Sequence, residues 1–181
     1  MILHSLIAAL VCTGTGTGAP AAAVGAPAPA FQAACTDGTT NTLAMFKGRW
    51  LVLCFYPKSF TPGCTKEVCA LRDGYQAIQK LDAVVRGVSF DPMDKQNAFK
   101  AQYNLPFELL SDEDKSIARA FDAVGLFGLA PQRKTFIIAP DGAIAHVFDR
   151  VNVADHDKEI AAALEQCVRK AATPAAKPPG K

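Results

Sequence analysis

An apolar run that stops at a proline constrains this chain more than any other feature. Residues 50–56 read W-L-V-L-C-F-Y and are followed by Pro57, then by the turn pair Pro62-Gly63. A run of that length, bounded by turn residues, predicts a short strand buried on both faces. From Cys64 onward Val68, Leu71, Tyr75 and Ile78 recur every three or four residues, which predicts a helix over 64–81. The β-branched run A-V-V-R-G-V-S-F at 83–90 predicts the next strand. Strand, helix and strand in that order form a βαβ unit, which requires parallel neighbours.

The flanking segments extend the same pattern. Residues 31–35 and 39–43 surround Thr36-Asp37-Gly38 and predict a hairpin, and 43–48 predict one helical turn ending at Gly48. Downstream, a helix is expected over 93–103 and a strand over 107–110. A second helix, capped from Ser111-Asp112-Glu113-Asp114, is expected to run to about Asp122. An apolar, glycine-bearing loop at 124–131 precedes strands at 135–139 and 143–148 around Pro140-Asp141-Gly142. The last helix is expected over 155–170, with Ile160, Leu164 and Cys167 or Val168 inward. The sum is an α/β domain with helices on both faces of a mixed sheet.

The 181 residues suffice for one such domain and loose ends. The domain is assigned to residues 24–170. Residues 1–23 open on an apolar stretch too short to span a bilayer, followed by small residues including Ala21-Ala22-Ala23. That pattern predicts a leader for export to the periplasm, although it contains no Lys or Arg; a low-complexity extension on a cytoplasmic protein is the alternative. The Pro/Ala-rich residues 171–181 predict an unstructured tail. Nineteen basic residues against 17 acidic ones, well interspersed, leave no basic stripe for nucleic acid.

Six cysteines (12, 35, 54, 64, 69 and 167) are too sparse for a disulfide scaffold, and three histidines offer little for zinc, so no metal is expected. Cys64 stands apart because it opens the predicted helix. Unpaired backbone N–H groups and the helix dipole favour a thiolate there. The plain alternative is a small residue in a tight turn. Cys69 lies five residues on, a rise of about 7.5 Å and a Cα separation of roughly 8.7 Å on an ideal helix. A disulfide requires about 4.4–6.8 Å, so the pair cannot bond while the helix is intact. Such a pair suits a switch in which the first turns unwind; alternatively Cys69 is a core residue beside Val68 and Leu71.

The segment P-K-S-F-T-P-G-C-T-K-E-V-C-A-L-R-D at 57–73 resembles the active-site segment of peroxiredoxins, which share P-x-x-x-T-x-x-C. Its T-P-G-C-T-x-E-x-C form is similar to the bacterioferritin comigratory protein, or PrxQ, subfamily. The likeness continues through G-V-S-F-D, L-P-F-E-L-L-S-D, R-K-T-F-I-I-A-P-D-G and H-V-F-D. It implies a thioredoxin-like fold with an N-terminal β-hairpin extension. It also implies a thiol peroxidase reducing hydrogen peroxide and organic hydroperoxides without a cofactor. Cys64 then matches the peroxidatic cysteine, Cys69 the resolving one, Pro57 and Thr61 the pocket pair, and Arg133 the arginine that holds the thiolate charged. Gly63 is expected to admit backbone N–H groups to the reacting oxygen, and Phe60 to line the substrate's path. A Cys64–Cys69 disulfide, recycled by thioredoxin or a similar dithiol protein, completes the implied cycle. Resolution within one chain makes a monomer the expectation.

Many relatives carry acidic residues where Ser59-Phe60 stand, and the larger apolar group points to alkyl hydroperoxides. Cys54 competes as resolver but lies inside an apolar run and is read as a buried strand residue; Cys35 and Cys167 are read as packing. His146 and His156 are assigned surface or hydrogen-bonding roles. The rival functions are a peroxide sensor or holdase using the same switch, and a thiol–disulfide oxidoreductase, which wants the C-x-x-C absent here.

Overall fold

The computed structural model describes residues 22–172. The predicted leader therefore lies almost wholly outside the described residues, as does all of the tail beyond Ala172. The strands are β1 (Gln32–Cys35), β2 (Thr40–Thr42), β3 (Trp50–Phe55), β4 (Ala83–Ser89), β5 (Glu108–Ser111), β6 (Lys134–Ile138) and β7 (Ile144–Phe148). The helices are α1 (Pro62–Gln79), α2 (Met93–Tyr103), α3 (Ser116–Ala120) and α4 (His156–Ala172). One sheet holds all seven strands in the order β2-β1-β5-β4-β3-β6-β7. The β3–β4 and β4–β5 pairs are parallel; the others are antiparallel.

All six residues of β3 are buried, as expected for the strand paired to β4 on one side and β6 on the other. Its side chains alternate between two cores. Val52 and Cys54 join Val68, Leu71 and Ile78 of α1, Phe99 of α2, and Ile160 and Leu164 of α4. Leu51, Leu53 and Phe55 join Phe46, Ile117, Ala118 and Phe121 on the opposite face. This is the thioredoxin-like α/β architecture, with the β1–β2 hairpin added against β5. On the other edge, the segment before β1 partly covers β7: Gly25 N–H donates to Ile144 O (2.8 Å), and Ile144 N–H donates to Ala26 O (2.9 Å).

Three elements differ locally from those expected. Helix α1 starts at Pro62, because a proline fits the first helical position, where its missing N–H has no acceptor to lose. Helix α3 ends at Ala120 rather than Asp122, and its start is capped by carboxylates as expected. Asp112 accepts from Ile117 N (2.9 Å) and Ala118 N (2.8 Å), and Asp114 from Ser116 N (2.9 Å). Helix α4 continues through Ala172. Its inner face also includes His156, which is fully buried and takes the hydrogen-bonding role of the two expected for it, not the surface one. The His156 ring shares a hydrogen bond with Thr135 Oγ1 (2.8 Å) and packs on Phe148.

Candidate active site

Strand β3 ends where Tyr56 N–H donates to Val88 O (3.0 Å), and the chain turns through residues 57–61 into α1. Thr61 is the residue immediately before the helix, Pro62 its first residue and Cys64 its third. The first bond of the helix is Thr65 N–H to Thr61 O (2.9 Å), so the N–H groups of Gly63 and Cys64 have no acceptor within it. Both are available to an oxygen bound at the thiol, and the dipole there favours anions.

Cys64 is fully buried, and a long-range contact gives it a cation. Arg133, just before β6, donates from Nη2 to Cys64 Sγ at 3.3 Å. The register of β6 against β3, with Lys134 opposite Phe55, brings Arg133 to this end of the sheet. Arg133 also lies against Gly63, where a Cβ would sit 3.4 Å from Nη2, an ordinary contact. Thr61 Oγ1 donates to Lys58 O (2.9 Å), which spends its proton and leaves its lone pairs to accept. Pro57 is half-buried in the same loop. The structure thus brings Arg133 to Gly63 and Cys64, with Thr61 immediately before the helix and Pro57 in the loop that leads into it.

Cys69 and Phe60 stand differently. Cys69 is half-buried further along α1, and every described cysteine is a thiol. Phe60 has a left-handed backbone (φ +67°), and its ring packs on Phe99 (5.0 Å between centroids) and Tyr103 (6.3 Å) of α2. The residue remains 38% exposed, so it is not sealed off from solvent. Cys54 is buried, and its thiol is pushed well up by desolvation, with the nearby Glu67 charge adding to the effect.

Glu67 is the site residue whose role the sequence reading missed. Its carboxylate pairs with Arg133 through Oε2, while Oε1 has no hydrogen-bond partner among the described residues. At 1% exposure, burial outweighs the attraction of Arg133 and lifts its pKa from 4.5 to about 7. Burial alone would lower the pKa of Arg133, but Glu67 and Cys64 outweigh that and raise it. Arg133 therefore stays charged, with the Cys64 sulfur on one side and the Glu67 carboxyl group on the other. The clue was in the spacing, since a residue three after Cys64 shares its helix face and Glu67 is a lone carboxylate there.

Among the described residues no group of three or more His, Cys, Asp or Glu stands placed to hold a metal ion, and no helix is long and apolar enough to cross a membrane. Residues 24–147 match the AhpC/TSA family. The chain belongs to that family. Peroxiredoxin Bcp of Bacillus subtilis is 41% identical over 139 residues, 74% of this chain and 88% of that protein. The bacterioferritin comigratory protein of Xanthomonas campestris, a structure that concerns alkyl peroxide reduction, superimposes with a TM-score of 0.72 at 33% identity, covering 76% of this chain and 92% of that one. For the peroxidoxin BcpB of Mycobacterium tuberculosis the TM-score is 0.73 at 31% identity, covering 79% and 96%. Chloroplastic peroxiredoxin Q of rice and wheat is longer; the chain spans 52% of its length. The protein is a peroxiredoxin of the Bcp/PrxQ kind, and so a thiol peroxidase.

Proposed function

We propose that this peroxiredoxin reduces hydrogen peroxide and organic hydroperoxides through Cys64 and resolves the product through Cys69. The observation that carries the first step is the 3.3 Å contact from Arg133 Nη2 to Cys64 Sγ at the start of α1. The thiolate attacks the near peroxide oxygen; the O–O bond breaks, and the leaving oxygen departs as water or alcohol with a proton. Cys64 becomes a sulfenic acid. The N–H groups of Gly63 and Cys64 and the Arg133 fork stabilise charge along the O–O axis, while Thr61 Oγ1 accepts from the peroxide. The partial exposure of the apolar Phe60 supports a preference for alkyl hydroperoxides, and the Xanthomonas structure concerns alkyl peroxide reduction.

In the second step the start of α1 unwinds and the Cys69 thiol condenses with the sulfenic acid, releasing water and forming a disulfide. A dithiol protein such as thioredoxin then restores both thiols by exchange and is itself oxidised. The monomer and export of the chain to the periplasm belong to the same reading. Export is supported by the apolar opening and the small residues near Ala21, and sequencing the mature N-terminus tests it.

The testing experiment mixes the reduced protein with hydrogen peroxide or an alkyl hydroperoxide, quenches at intervals and maps the cysteines by mass spectrometry. One equivalent of either oxidant should yield a Cys64–Cys69 disulfide, and Cys69→Ser should stop at the sulfenic acid. Arg133→Met should slow oxidation of Cys64 by about 10- to 100-fold, the weight of one charge-assisted hydrogen bond. A different pairing rejects the assignment of Cys69. Stoichiometric oxidation without turnover on added thioredoxin favours the sensor.

A further inference from the structure

The catalytic loop does not hold its shape unaided. Phe60 sits at φ +67°, a left-handed conformation that is strained for a non-glycine residue and persists only where the surroundings over-determine it. Several bonds around it converge on one carboxylate. Ser59 N–H donates to Asp91 Oδ2 (2.7 Å), and Ser89 Oγ–H donates to the same oxygen (2.9 Å). Lys95 Nζ donates to the other oxygen, Oδ1 (2.6 Å). Asp91 is 7% exposed and Ser59 2%. Burial works against the Asp91 charge, but Lys95, Ser59 and Ser89 outweigh it and hold the carboxyl below its usual range. A second tie runs parallel: Tyr56 O–H lies between Gln96 Oε1 and Ser59 Oγ, and Gln96 Nε2 donates to Ser89 Oγ (2.9 Å) and Leu110 O (3.0 Å).

Neither Asp91 nor Ser59 touches Cys64 in any contact given above, so the network acts at one remove. Its route to the site is short. Thr61 N–H and Thr61 Oγ–H both return to Lys58 O (3.4 and 2.9 Å), and Thr61 O accepts the first bond of α1. Residues 58–61 and the first turn of α1 therefore form one unit, gripped at Ser59.

We infer that Asp91 is a positioning residue which, through Ser59, holds the loop in the closed form that presents Thr61 and Cys64 to peroxide, and which must let go before Cys64 can reach Cys69. The second half of this statement rests on the Cys64–Cys69 reading. Loss of the clamp shifts the population from the form that reacts with peroxide toward the form that makes the disulfide. Peroxide oxidation then slows while resolution does not. Fewer Cys64 sulfenic acids survive to meet a second peroxide, the step that yields sulfinic acid and water.

The test compares the full chain as wild type, Asp91→Ala and Asp91→Asn. Rapid mixing with hydrogen peroxide is followed by quenching and mass-spectrometric counting of thiol, sulfenic acid, disulfide and sulfinic acid at Cys64. Asp91→Ala should oxidise about tenfold more slowly, convert sulfenic acid to disulfide no more slowly than wild type, and give less sulfinic acid per turnover. Asp91→Asn keeps an oxygen for Ser59 and Ser89, so it should stay within about threefold of wild type. Unchanged oxidation in Asp91→Ala, equal loss in both variants, or proportional slowing of both steps overturns the inference. Should Asp91→Ala fail to fold, amide exchange in the wild type decides. Ser59 N–H should be protected far beyond Lys58 N–H when reduced and lose that protection in the disulfide form; equal protection in both forms overturns the clamp. If wild-type Cys64 does not oxidise at all, or pairs elsewhere, the functional reading has failed as well, and that result is distinct from a failure of the clamp alone.

Discussion

At the scale of the residue, the site turns on a carboxylate that is kept where it is least comfortable. Glu67 anchors Arg133 beside Cys64, yet its own pKa rises from 4.5 to about 7 because burial costs its charge more than Arg133 returns. The folded chain therefore holds a proton that the unfolded chain has already released between those values. Stability from this group falls as pH rises from 4.5 to about 7 and is lowest above it. At about 1.4 kcal/mol per pKa unit, the full cost is on the order of 3 kcal/mol. Glu67→Gln should remove that slope and be the more stable protein at pH 8, measured by denaturant midpoints across pH. It should also oxidise Cys64 about tenfold more slowly, since Arg133 loses its charged anchor. A slope that survives in Glu67→Gln would assign the pH dependence to another group. Stability and reactivity oppose each other at this one position.

At the scale of the element, α1 does two jobs that pull apart. In the proposed cycle its start unwinds, while its body is packed through Val68, Leu71 and Ile78 and crossed by α4. The crossing is close at Gly74, where a Cβ would lie 2.6 Å from Asp157 Oδ2 and 2.7 Å from Asp157 Cβ. Alanine would favour the isolated helix by about 1 kcal/mol. Here the clash should win, because moving Asp157 Cβ means moving the α4 backbone. Gly74→Ala is expected to lower stability by roughly 1–3 kcal/mol, read from the thermal midpoint. A midpoint at or above that of wild type would show that α4 can yield at this crossing.

At the scale of the whole molecule, the sheet carries two cores and one site at the end of its central strands. Phe55 and Val88 mark that end, and the loops after β3 and before β6 converge on it. Both cysteines of the proposed disulfide lie on one helix of one chain, so its formation requires no second copy. Initial turnover per chain should therefore be independent of protein concentration from the nanomolar to the micromolar range, with sedimentation reporting a monomer across it. A specific activity that climbs with concentration would reveal an obligatory partner copy. The apolar residues Leu126, Phe127 and Leu129, each more than four-fifths exposed, are where such a contact would first be sought.

Much of this architecture was legible in the chain itself, because local periodicity and turn chemistry act over a few residues. The seven strands, the βαβ unit, the hairpin at Asp37-Gly38 and the placing of Cys64 at a helix start all follow from such short-range rules. The resemblance at 57–73 added the chemistry. Distance along the chain hid the rest. The sequence places Glu67 near Cys64 but does not say that its charge is buried against Arg133, 66 residues away. Nor does it disclose that Asp91 grips Ser59, because a hydrogen bond spanning 32 residues has no local signature. Sequence determined the elements and placed the Cys64 sulfur at the start of a helix. Tertiary packing alone decided which side chains surround that sulfur and which carboxylate bonds to its loop, since both depend on burial and on groups that meet only once the sheet is assembled.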